Sequence, residues 1–231
     1  MKNILSLLFF IPMLSNAQEC SSYLFMSDNS TVQMTVYDKK GKESGTQTWK
    51  ISEVKKNGNQ YESVVAGSFK DEKGKEIANS SGVYKCEGGV LKADVRMSMP
   101  QQQMEAYKDA EAKFETAYIE YPSNISVGQT LKDVDFTMEV TGKNNAATTI
   151  TYKMVNRKVN SQEKVTTPAG TWDAYVISYN STFKTQIGPI GLPINMEVKE
   201  WFVPGIGTVK SETYNKAGKL AGSTMITSIT K

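Results

Sequence analysis

The chain has 231 residues, with 27 Lys plus Arg, 24 Asp plus Glu and no histidine, and a formal net charge of +3. A balance so close to neutral points to no electrostatic partner. The absence of imidazole removes Ser-His-Asp and Cys-His catalysis, His-ligated zinc and haem held by a proximal His.

Met1–Ala17 reads as a removable secretory leader. Lys2 supplies a positive start, Ile4–Leu14 an apolar stretch, and Ser15-Asn16-Ala17 a small-x-small cleavage site. The apolar stretch is too short for a bilayer core of about 30 Å, so no transmembrane segment is expected after cleavage. The expected organisation is a signal peptide over residues 1–17 and one β-rich domain over residues 18–231. Gln18-Glu19 fit poorly in a lipid-attachment box, so Cys20 is not expected to be acylated. Cys20 and Cys86 form an even pair in an exported chain, and one structural disulfide tying the mature N-terminus to the sheet is the expectation.

From Thr31 onward the pattern is alternation punctuated by turns. Strands are expected at Thr31–Asp38, Thr46–Lys55, Gln60–Lys70, Ser81–Cys86, Gly89–Met99, Val134–Thr141, Thr148–Asn160 and Ser161–Thr167. Four more follow at Thr171–Gln186, Asn195–Val203, Gly207–Tyr214 and Lys219–Ile229. The form [D/N]-x-x-G-K recurs at Asp38–Lys42, Asp71–Lys75 and Asn215–Lys219. An acceptor first and Gly fourth suit hairpin turns, and none has the flanking Gly, Ser or Thr of a phosphate loop. Between the strands, Met104, Tyr107, Phe114 and Tyr118 recur at spacings that predict an amphipathic helix over about Gln101–Tyr118. Such a helix would pack on the sheet, or line and gate a cavity.

Chemistry-bearing groups are sparse. Asp133 with Asp135, and Glu197 with Lys199, share strand faces, and the simpler reading of such pairs is a solvated face rather than glycosidase carboxylates. Met97, Met99 and Met104 are soft ligands, but without a histidine beside them core packing is preferred over copper, so no metal or cofactor is expected. Arg96 and Arg157 are the only arginines, which disfavours nucleic acid as a partner. The turn-rich stretch carrying Ile187, Ile190, Leu192, Ile194 and Met196 is unusually apolar for a loop. It reads as a buried hairpin tip, as a lip over a ligand mouth, or as a contact surface.

Tyr121–Leu131, Thr166–Trp172, Glu200–Lys210 and Tyr214–Leu220 follow one another in an order that resembles the TapB-like family of exported Gram-negative proteins. Cys20, Tyr37–Lys42 and Tyr84–Cys86 extend the likeness into the amino half. The resemblance implies a β-rich envelope protein, distantly similar to lipoprotein-carrier half-barrels, and brings no catalytic residues with it. The expected fold is therefore mainly β: one antiparallel, strongly curved sheet, as a half-barrel or open barrel, with one amphipathic helix packed on it. The leading functional expectation is a non-enzymatic binder of an apolar ligand such as a lipid or acyl chain. The alternative is a structural or protein-interaction module with a filled core.

Overall fold

The computed structural model describes residues 19–100, 111–141 and 147–231. Thirteen strands are defined among them. In the first half β1 is Thr31–Asp38, β2 Glu43–Asn57, β3 Gln60–Asp71, β4 Glu76–Glu87 and β5 Val90–Asp94, with β6 Glu111–Phe114 and β7 Tyr118–Tyr121. In the second half β8 is Val134–Thr141, β9 Ala147–Thr167, β10 Gly170–Ile187, β11 Ile190–Val203, β12 Gly207–Tyr214 and β13 Leu220–Thr230. All join one antiparallel sheet, in the order β6-β8-β9-β10-β11-β12-β13-β1-β2-β3-β4-β5-β7.

The predicted helix is overturned where it can be seen. Met104 and Tyr107 lie outside the described residues, while Phe114 and Tyr118 are on strands. β6 pairs with β8, placing Phe114 against Met138, and β7 pairs with β5, placing Tyr118 against Asp94. Ladder hydrogen bonds to strands distant in sequence outweigh a local apolar spacing that a helix would also satisfy. Among the described residues the only helical pieces are 3-10 turns of three or four residues.

The curvature follows from connectivity. β6 and β7 are the two ends of the strand order, yet only Glu115–Ala117 joins them. Such a link reaches at most about 14 Å, so the sheet must roll until its edges nearly meet. The edges do not form a ladder, and the sheet stays open. Arg157 on β9 bridges the seam instead. Its Nη1 donates to the carbonyls of Glu120 on β7 (3.3 Å) and Lys132 (2.7 Å), and Lys132 Nζ pairs with the Glu120 carboxylate at 3.1 Å.

The antiparallel order sends the turns to two rims. Asp38–Lys42, Asp71–Lys75, Gly188-Pro189 and Asn215–Lys219 lie at one, which is the open end. The three repeated turns share a mechanism: Asp38 Oδ1 accepts from the amides of Lys40 and Lys42, Asp71 from Lys73 and Lys75, and Asn215 from Ala217 and Lys219. These amide bonds hold the exposed Asp38 carboxyl below its ordinary value. The opposite rim is closed by the N-terminal segment. Tyr23, Leu24, Phe25 and Met26 are buried, Phe25 stacks on Tyr84 at 4.4 Å, and the Leu24 amide donates to Gly205. A disulfide joins Cys20 to Cys86 on β4 with the Cα atoms 5.5 Å apart, so this sulfur has no free valence for an acyl group. Phe25 packs so close to Gly207, at φ +109°, that a Cβ there would sit 2.9 Å from the ring.

Candidate functional site

Within the rolled sheet is a cavity of about 550 Å³. Alternation along β11 builds one wall: Ile194, Met196, Val198, Glu200 and Phe202 face it in succession. At about 3.4 Å per residue, Glu200 lies about 20 Å further in than Ile194. β9 and β10 add Tyr152, Tyr179, Ser181 and Phe183, and the side across from them is formed by Tyr84, Leu91, Met97 and Met99. The wall made by β12 and β13 differs in chemistry, carrying Thr208, Ser211, Thr213, Ser223 and Thr224. Asp38 and Ser44 stand at the mouth, at the open end.

Glu200 is the charged group in this interior and is 4% exposed. Its carboxylate accepts from Tyr121 Oη at 3.2 Å and from Thr208 Oγ1 at 3.4 Å, long contacts for so deeply buried an acid. Burial pushes the Glu200 carboxyl above its ordinary value, and the positive charge of Arg157 partly offsets this. The hydroxyls of Tyr84, Tyr121, Tyr152 and Tyr179 are all pushed up, chiefly by burial and secondarily by neighbouring negative charge, including that of Glu200. Tyr121 stacks on Phe202 at 4.3 Å, and the Arg157 guanidinium lies 5.3 Å from the Tyr121 ring centre. Arg157 is itself fully buried, and its Nε and Nη2 have no hydrogen-bond partner among the described residues.

The predicted lip divides in two. Ile187–Met196 is the end of the β10–β11 hairpin, with Ile187 opposite Ile190 across the Gly188-Pro189 turn. Ile194 and Met196 line the cavity; Ile187, Ile190 and Leu192 are 57%, 67% and 71% exposed on the tip. Of the predicted helix lining, Phe114 contacts Phe136 and Arg96, while Tyr118 lies under Lys85, and neither lines the cavity. Met97 and Met99 are buried in the cavity wall, whereas Met104 is outside the described residues. Asp135 is paired with Lys153 at 2.6 Å on the exposed side of β8. Among the described residues no three His, Cys, Asp or Glu side chains converge as a metal site.

Glu200, Arg157 and the inward tyrosines are the residues that sequence reasoning missed. The signal for Glu200 is the period-two run from Ile194 to Phe202, in which it is the one charge on an apolar face. Arg157 is concealed by a bulge at Asn156, φ +60°, which moves the inward set of β9 from Ile150, Tyr152 and Met154 to Arg157 and Val159.

The geometry defines a rolled, open antiparallel sheet, plugged at one rim and enclosing a cavity lined by aromatic side chains. The chain belongs to the DUF3108-like family, which it matches over residues 28–226. This match does not confirm the TapB-like name that the ordered motifs suggest. No functionally curated protein gives a significant match. Two solved structures share the fold. One, from Parabacteroides distasonis and described as a candidate lipoprotein, has 18% identity and a TM-score of 0.73, covering 89% of this chain and 96% of the other. The second, described as a candidate exported protein with a YmcC-like fold from Bacteroides fragilis, has 20% identity and a TM-score of 0.71, covering 89% and 97%. Among the described residues no helix is long and apolar enough to cross a membrane.

Proposed function

We propose that this protein is an exported, non-enzymatic envelope protein that holds an apolar or amphipathic molecule inside its rolled sheet. The observation that carries the reading is the cavity of about 550 Å³, open at one rim and walled by Tyr, Phe and Met side chains. A volume in this range suits a ligand of small-molecule size, and removing its apolar surface from water supplies the driving force. A purely structural protein of this architecture would fill the same space with side chains. The leader-like sequence of Met1–Ala17 and the two similar structures, described as a candidate lipoprotein and a candidate exported protein, support the envelope location.

The test has two arms. Mass spectrometry of an organic extract of the protein purified from its native envelope should find a bound amphiphile. Delipidated protein should bind the neutral fluorophore N-phenyl-1-naphthylamine with a saturable rise in emission, and Phe183→Glu, which puts a charge into the cavity wall, should abolish that rise. Absence of both extract and saturable fluorescence sinks the proposal.

A further inference from the structure

The cavity is not uniformly apolar, and its polar part is organised. Glu200, Tyr121 and Thr208 form one hydrogen-bonded group deep inside. Around it, Tyr84, Tyr152 and Tyr179 face the same cavity, each side chain more than nine-tenths buried. The cluster brings tyrosine hydroxyls and one carboxylate acceptor to the same space. Thr208, Ser211, Thr213 and Ser223 continue this polar character along the β12–β13 wall towards the mouth.

We infer that the cavity selects an amphiphile with a neutral, hydroxyl-bearing head, seated head-inward at Glu200, Tyr152 and Tyr179 with its chain directed to Met196 and Ile194 at the mouth. This inference rests on the carrier reading and names its ligand class. A hydroxyl head can donate to Glu200 and accept from the tyrosines at once. A carboxylate head can only accept, and it would stand beside the Glu200 carboxylate with both partly stripped of water. A cationic head would bring a second positive charge to an interior in which Arg157 already partly offsets Glu200. A neutral head adds no further charge to this interior.

The experiment is displacement of N-phenyl-1-naphthylamine from delipidated protein by two competitors with the same chain, glyceryl monolaurate and laurate, at neutral pH. One charge-assisted hydrogen bond gained by the first and denied to the second predicts at least a tenfold advantage for the monolaurate. Glu200→Gln keeps the shape and removes the charge, and should shrink the advantage to threefold or less, with both competitors measured against the variant's own fluorophore affinity. Tyr179→Phe deletes one cavity-facing hydroxyl with no loss of packing, and should weaken the monolaurate severalfold more than the fluorophore. Equal displacement by the two competitors, or a preference for laurate, overturns the inference while leaving the carrier reading intact. A tenfold preference that persists in Glu200→Gln overturns it too. If the fluorophore does not bind, it is the carrier reading itself that fails.

Discussion

Replacing Trp201 by Ala separates the two faces of β11. Glu200 and Phe202 line the cavity, so Trp201 between them points the other way, and yet it is only 4% exposed. Its ring is covered by Lys210 and Lys199, whose ammonium groups lie 4.2 and 4.7 Å from it, and its Nε1 donates to Glu163 at 2.6 Å. Truncating a buried Trp to Ala costs about 3–5 kcal/mol, and the lower end applies here because Glu163 is exposed and can rehydrate. With a urea slope of about 3 kcal/mol per molar for a chain of this size, the unfolding midpoint should fall by about 1 M. Trp201→Phe keeps most of the packing and loses one hydrogen bond, so it should cost about 1 kcal/mol. Fluorophore affinity should be the same in both variants, since the ring does not reach the cavity. An unchanged midpoint in Trp201→Ala, or weakened binding with stability retained, would falsify the assignment of this side chain to the outer face.

Reduction of the Cys20–Cys86 bond, or its replacement by two alanines, should lower stability by about 4 kcal/mol on the chain-entropy account, read as a shifted thermal midpoint. The substitutions Ile190→Ser and Leu192→Ser lie on an exposed tip and should each move stability by no more than about 0.5 kcal/mol, checked by the same melt. Glu200 titrates higher in the folded chain than its ordinary 4.5, so between 4.5 and the raised value the folded state binds more protons than the unfolded one. Its contribution to stability is therefore most favourable below that window and is lost as pH rises through it. Urea titrations of the parent and Glu200→Gln across this range should show a gap that widens in favour of the variant with rising pH, and a constant gap would contradict the buried-acid assignment.

Alternation made much of the sheet legible in the sequence. The bounds expected for Thr31–Asp38, Val134–Thr141 and Gly207–Tyr214 coincide with β1, β8 and β12, because each is a short strand bracketed by turn residues. Two expected strands at Thr148–Asn160 and Ser161–Thr167 are one, β9, since a bulge there bends the ladder without ending it. The failure over Phe114 and Tyr118 has a different origin. Their neighbours on the sheet, Met138 and Asp94, are unrelated by any local period, and β6 and β7 are each only four residues long. The candidate site was illegible for the same reason: Glu200, Tyr121 and Tyr152 converge only once the sheet is rolled, and rolling is a property of the whole strand order.

The position of β1 has a consequence for how the molecule is made. This strand lies in the middle of the strand order, between β2 and β13, and its ladder runs from Thr31 opposite Thr230 to Asp38 opposite Gly222. A chain that emerges from its N-terminus first must hold one side of β1 unpaired until nearly two hundred further residues have followed. The wound at that stage is central rather than peripheral, two half-sheets with bare edges and no enclosed space between them. Loss of the last strand would thus split the wall of the cavity, whereas loss of a short outer strand such as β6 would only fray its seam.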